Sequence, residues 1–237
     1  NVLSGMDVID NIVKVPTTTI TGTGFADVPV TNISITSVRE TQAGSAITNS
    51  AVIGVSALET NSQWSYTLDG GTTWLTGSGS TLTVPVGTYA ADAIQVRQTD
   101  QAGNLSTTTG KLGSALIVET TAPTVQNFSP ADEATGIAVG SNIVITFSEA
   151  VVRGTGTLVL KAADGTVVES FDIATSNRIA LSGNTLTLDP SADLLPGKGY
   201  KLEIAAGAIR DIAGNLFAGA FDYNFTTQPP PNTLPSG

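Results

Sequence analysis

The sequence predicts an all-β protein: two tandem β-sandwiches, with a short N-terminal helix and a proline-rich C-terminal tail. Three observations carry that expectation. Short runs rich in Val, Ile, Leu and Thr recur between Gly, Asn and Asp turn signals, at the roughly 8–12-residue spacing of sandwich domains. Hydrophobic residues make up 41% of the 237 residues and charged ones only 13%, enough to build cores and too apolar for a disordered chain. The polar segment Glu119-Thr120-Thr121-Ala122-Pro123 ends in proline and separates two stretches of about 100 residues each, an ordinary domain length.

Residues 1–16 differ in pattern from the rest of the chain. Ser4 is placed to cap a helix, and Asp7 puts negative charge in its first turn. Met6, Ile9, Ile12 and Val13 then recur at three- and four-residue spacings until Pro16, which predicts an amphipathic helix with one apolar stripe. A helix that short is marginal in water, so the stripe is expected to form an interface, on its own domain or on a neighbouring molecule.

The first sandwich is assigned to residues 17–118. Candidate strands are 18–21, 33–38, 51–57, 63–68, 81–84, 93–98 and 115–118. Asp69-Gly70-Gly71 reads as a hairpin turn after the Trp64/Tyr66/Leu68 alternation, with Trp74 on the return strand. The second sandwich is assigned to residues 119–228, with candidate strands 143–147, 157–162, 166–171, 185–188, 200–204 and 221–225 and a short helical turn at 205–209. Residues 229–237 contain Pro229, Pro230, Pro231 and Pro235 and read as an extended linker or stalk. The motif D-x-A-G-N occurs in both halves, at Asp100 to Asn104 and at Asp211 to Asn215.

Composition excludes much chemistry. With no cysteine and no histidine there can be no disulfide, Cys/His zinc site or histidine base. A net charge of −10 opposes binding to phosphate backbones, and neither half is a basic module, since residues 17–118 carry 6 acids to 3 bases and residues 119–228 carry 12 to 6. No apolar run is long enough to span a membrane as a helix. The first residues lack the basic flank and apolar centre of a signal peptide, as in a mature product or a fragment. Asp132/Glu133, Glu169/Asp172 and Asp189/Asp193 are carboxylate pairs by number, yet their setting is turns and strand ends, which points to solvated surface rather than glycosidase chemistry. Trp64 and Trp74 lie across a hairpin and read as sandwich core ahead of a sugar-binding platform. No enzymatic activity and no obligatory cofactor are expected.

Residues 119–227, through "TAPTVQNFSPADEATGIAVGSNIVITFSEAV", "LTLDPSADLLPGKGYKLEI" and "AIRDIAGNLFAG", resemble the bacterial Ig-like domain of S-layer proteins. Residues 17–118, through "WSYTLDGGTTWLTGSGSTLTVPVGTYAADAIQVRQTDQAGNLS", resemble Ig-like repeats of large bacterial surface and secreted proteins. "SGMDVIDNIVKVPT" resembles the C-terminal helix of cyclophilin-type peptidyl-prolyl isomerases, whose barrel and active-site residues have no counterpart here. The resemblances imply an extracellular or cell-surface structural module: surface layer, adhesin stalk or filament subunit, self-associating or bound to other surface proteins. The alternative they leave is a spacer in a secreted multidomain enzyme, for example a cyclophilin-type isomerase. They also imply calcium near domain junctions and last hairpins, where Glu119, Asp100, Asn104, Asp211 and Asn215 supply oxygens. The other reading of the same residues is that Asp and Asn bond their own backbone to form turns.

Overall fold

A computed structural model describes residues 34–37, 41–42, 45–50, 52–107, 109–220 and 222–231. The N-terminal helix with Met6, Ile9, Ile12 and Val13, the strand expected at 18–21 and the last six residues lie outside them. Every regular element among the described residues is a strand, and none of them forms a helix long and apolar enough to cross a membrane. The chain divides into two compact units between Thr120 and Thr121.

The first unit contains β1 (Ser34–Ser37), β2 (Thr41–Gln42), β3 (Ser45–Thr48), β4 (Val52–Ser56), β5 (Gln63–Thr67), β6 (Leu75–Thr76), β7 (Thr81–Thr83), β8 (Gly87–Tyr89), β9 (Gln95–Thr99), β10 (Gly110–Lys111) and β11 (Ala115–Val118). They pair as β1-β4-β7, β10-β9-β5-β6 and β2-β3-β11-β8. Strand alternation decides what goes inside: Ile53 and Val55 of β4 turn in, while Val52 stays exposed. They meet Trp64, Leu82, Val96, Leu116 and Val118 in one core drawn from all three sheets.

Trp64 shapes this core. Its indole Nε1 donates to Gly79 O at 2.9 Å, and its ring lies so close to Gly77 that a Cβ there would sit 2.2 Å from the indole carbons. The loop after β5 closes over the outer face of the same sheet. Asp69 accepts from the Thr67 hydroxyl (2.6 Å), the Thr73 hydroxyl (2.6 Å) and the amides of Thr72 and Thr73 (both 2.9 Å). Those donors, the Thr67 hydroxyl first, hold its carboxyl well below the usual carboxylate range. Trp74 ends that loop just before the return strand, its ring 3.8 Å beneath the Arg97 guanidinium.

The second unit contains β12 (Val125–Ser129), β13 (Ala134–Ile137), β14 (Ile143–Phe147), β15 (Val151–Arg153), β16 (Thr157–Ala162), β17 (Val167–Asp172), β18 (Ile179–Ser182), β19 (Thr185–Leu188), β20 (Gly199–Ile204), β21 (Ile209–Asp211) and β22 (Asn224–Thr227). The sheet β12-β14-β19-β18 packs on β13-β22-β20-β16-β17, with β15-β21 as a separate pair. Ile143, Ile145 and Phe147 from one large sheet and Leu158, Leu160, Leu202 and Phe225 from the other are almost fully buried in a single cluster. The rings of Phe128 and Tyr223 stack at 4.0 Å, and the Tyr223 hydroxyl donates to Pro130 O at 2.8 Å. Burial, with Asp132 nearby, pushes that hydroxyl's pKa up.

Two expectations need correction. Residues 205–209 form no helical turn: Gly207 takes φ +75°, the Ala208 amide returns to Ala205 O, and the chain enters β21 at once. The last strand begins at Asn224, not at residue 221, with Tyr223 turned into the core just before it.

These contacts have three measurable consequences. Gly77→Ala forces a methyl into the Trp64 ring and should cost the first unit about 1–3 kcal/mol, read by tryptophan fluorescence in urea, since both tryptophans belong to that unit. An unchanged midpoint would mean the ring moves aside freely. Tyr223→Phe leaves the ring stack but strips the Pro130 carbonyl of its donor, and should cost the second unit about 1–2 kcal/mol in the urea transition that tryptophan does not report. For Asp69 the sign is set by its depressed pKa. Its contribution is complete above the unfolded-state value of about 4 and is lost as pH falls through the lower folded value. The first unit's melting temperature should therefore fall in acid, and Asp69→Asn should begin lower at pH 7 and show a flatter acid limb. Parallel pH profiles for the two proteins would remove Asp69 from the account.

Candidate functional site

The two D-x-A-G-N segments form the same loop in different units. In the first, the Asp100 carboxylate accepts from the Asn104 amide at 2.7 Å and from its side-chain nitrogen at 2.8 Å. In the second, Asp211 accepts from the corresponding donors of Asn215, both at 2.7 Å. The backbone closes identically, with Asp N–H to Asn O at 3.0 Å in each, and Gly103 and Gly214 take φ +90° and +97°. Bridges Thr99 to Leu105 and Arg210 to Leu216 continue each hairpin. These are the bonds a turn-forming role requires.

Burial separates the two loops. Asp211 is 1% exposed and Asn215 is buried, whereas Asn104 is exposed. Asp211 pairs with Val151 across β15 and β21. That register brings Glu149, two residues upstream, beside it: a carboxylate oxygen of each lies within 4.8 Å of the other. Sequence reasoning missed Glu149, because the β15–β21 pairing is what brings it beside Asp211, and a three-residue strand carries little pattern. Glu119 is half-buried, and its backbone amide donates to Thr48 O at 3.0 Å.

The six acids of the carboxylate pairs have separate roles and do not face one another as acid and base. Asp132 accepts from the Asn224 amide at 2.9 Å. Asp172 accepts from the Thr175 hydroxyl, the Thr175 amide and the Ala174 amide, which lower its pKa. Glu169 accepts from the Ser191 amide at 3.0 Å, and Asp189 pairs with Arg178 at 3.1 Å. Glu133 and Asp193 are exposed. Trp64 is 5% exposed, as a core role requires, and the Arg97 guanidinium covers one face of the partly buried Trp74.

One open cleft of about 430 Å³ lies in the first unit between Leu58, Glu59 and Ser62 on one side and Thr76 and Ser78 on the other. Its first wall contains Ala57 and Asn61, both at φ +61°. The buried Gln98 amide holds that wall, its Oε1 accepting from the Glu59 amide at 2.9 Å and the Ser62 hydroxyl at 3.1 Å. Trp64, Leu58 and Gln63 line it together with the serine, threonine and glutamate side chains, and no Lys or Arg does.

Among solved structures, the chain is similar to CopC from Methylosinus trichosporium OB3b, at 17% identity and a TM-score of 0.36 over 47% of this chain and 99% of that one. It is similar to fibronectin(III)-like modules of CbhA from Clostridium thermocellum at 13% identity and 0.33, over 86% and 98%. It is similar to the BSP domain of a biofilm-associated protein at 14% identity and 0.23, over 82% of this chain and 30% of that one. No curated protein matches. One family model does: residues 119–227 match the bacterial Ig-like domain, which takes in every strand of the second sandwich.

Proposed function

We propose that this chain is a non-catalytic structural module of a bacterial cell-surface or extracellular protein, of the kind that builds a surface layer, an adhesin stalk or a filament. The observation that carries the reading is how its polar side chains are used. Catalysis needs acids and bases held ready for a substrate. Here the carboxylates of Asp69, Asp100, Asp132, Asp172 and Asp211 each accept hydrogen bonds from their own or an adjoining loop. Among the described residues no buried side-chain nitrogen or oxygen lacks a partner. The bacterial Ig-like match over residues 119–227 supports the same class.

Assembly is assigned to the N-terminal segment. Met6, Ile9, Ile12 and Val13 form an apolar stripe at helical spacing, and covering each side chain fully is worth roughly 1.5–3 kcal/mol. Docked on a different surface of a neighbouring molecule, the stripe makes a head-to-tail contact, and such contacts generate open fibres when they do not close. Electron microscopy of the concentrated protein should show polymers. Deleting residues 1–16, or changing Ile9 and Ile12 to Asp, should give monomers whose sandwiches melt as in the parent. Polymers that persist in both variants, or a parent protein that stays monomeric, would overturn this assignment.

A further inference from the structure

We propose that the outer face of the β10-β9-β5-β6 sheet binds an acidic polysaccharide, with Arg97 holding a uronate carboxylate and the adjoining cleft holding a neutral part of the same sugar chain. Cations are scarce in this protein, yet they gather here. The described residues of the first unit carry two, Arg97 and Lys111, and strand pairing puts both on this face. Lys111 stands opposite Gln95 on β9, and residues two apart on a strand share a face, so Lys111 and Arg97 lie on the same side of the sheet. As diagonal neighbours they are about 7–8 Å apart at the backbone. Against a net charge of −10, the pair makes a local well for an anion.

Arg97 is held ready for a planar anion. Its guanidinium lies 3.8 Å over the Trp74 ring, and its Nε donates to the Ser65 hydroxyl at 3.1 Å. The ring fixes the plane of the fork and the hydroxyl fixes its inner edge. No ion pair among the described residues engages it, so Nη1 and Nη2 keep the parallel donors that suit a carboxylate. Asp69, in the loop that carries Trp74, does not compete for them, because donors from Thr67, Thr72 and Thr73 already converge on its carboxylate.

A row across the sheet leads from this fork to the cleft. Arg97 stands opposite Ser65, and Ser65 opposite Thr76, which is itself part of the cleft wall. The two interstrand steps from Arg97 to Thr76 span about 10 Å, the reach of a disaccharide. The cleft offers what a sugar ring binds: the exposed Gln63 amide, the hydroxyls of Thr76 and Ser78, and the apolar side of Leu58. Glu59 gives the site a direction, since its charge turns a carboxylate away from the cleft and towards the Arg97 end. The wall that carries Glu59 and Ser62 is preformed, because the fully buried Gln98 side chain accepts from both. A peptide strand is a poorer occupant, as the edge strand here, β6, is only two residues long and offers few backbone partners.

The test titrates the full-length chain with oligogalacturonate, with the neutral galactose oligomer of the same length, and with polyglutamate. Binding is read from tryptophan fluorescence, since Trp64 lines the cleft and Trp74 lies under Arg97. The uronate oligomer should bind at least roughly tenfold tighter than the neutral one, the worth of one charge-assisted fork, and should weaken as salt rises. Arg97→Lys keeps the charge but loses the fork, and should weaken both the oligomer and monomeric galacturonate at least roughly fivefold. Two variants at exposed positions guard against a folding artefact. Lys111→Gln should weaken the oligomer about two- to fivefold. Ser78→Phe fills the cleft, and should weaken the oligomer while leaving monomeric galacturonate unchanged. Equal affinity for the uronate and neutral oligomers, polyglutamate binding as tightly as the uronate, or full binding retained in both Lys111→Gln and Ser78→Phe would overturn the site. Any of these would leave the structural-module reading standing, whereas a monomer-only result in the microscope bears on that reading alone.

Discussion

The parallel pairing of an early strand with the last strand is the constraint on which both sandwiches depend. It joins residues 70 positions apart in the first unit, Ser45 to Ala115, and 91 apart in the second, Ala134 to Phe225. Without it the last strand would keep only one neighbour, β8 or β20, and Leu116 or Phe225 would lose part of its cover. Contacts of such long sequence separation close large loops before they return any energy, so each unit should fold slowly for its size. Once closed, the same pair fixes where the chain enters and leaves. Topology thereby sets a kinetic cost of folding.

A sandwich that closes this way still leaves edges, and exposed edges invite strand addition. In the second unit three of the four outer strands of the two large sheets, β12, β13 and β17, each carry one residue more than the partner they pair with. Such bulges bend the edge and break the regular row of donors and acceptors an incoming strand would need. The fourth, β18, is regular. There the Arg153 guanidinium donates to the carbonyls of Ile173, Ser176 and Ile179, and the last of these belongs to β18 itself. In the first unit β2, β6 and β10 are two residues long and β8 three, while β1 has a register shift. Among the described residues an incoming segment therefore finds little regular edge to extend.

Much of the fold was legible because period-two alternation survives wherever one face is buried. Ile143, Ile145 and Phe147 announce β14, and Tyr200, Leu202 and Ile204 announce β20. Several strands escaped, β3, β12 and β18 among them, because they are short or show little alternation. β13 reads Ala-Thr-Gly-Ile and has no buried residue; β15 and β21 are three residues each. The site was legible in part for the same reason. D-x-A-G-N is a local motif, and its loop arises from local bonding. Glu149 beside Asp211 depends on a pairing between strands 58 positions apart, Val151 with Arg153 against Ile209 with Asp211.

The acidic composition takes on a different meaning once the loops are seen. Twenty acids and a net charge of −10 suggest sites for cations or a charged surface. In the sandwiches, however, an aspartate repeatedly stands at the start of a loop and gathers the amides or hydroxyls just after it. Asp69 does this after β5, Asp100 after β9 and Asp164 after β16, while Asp172 and Asp211 do it as the last residues of β17 and β21. A chain made mostly of short strands must reverse direction often, and each reversal leaves backbone donors unpaired by the sheets. A short acceptor fixed two to four residues before those donors satisfies them without outside help. Five of the twenty acids are thus a consequence of the turns this fold requires before they are a property of its surface.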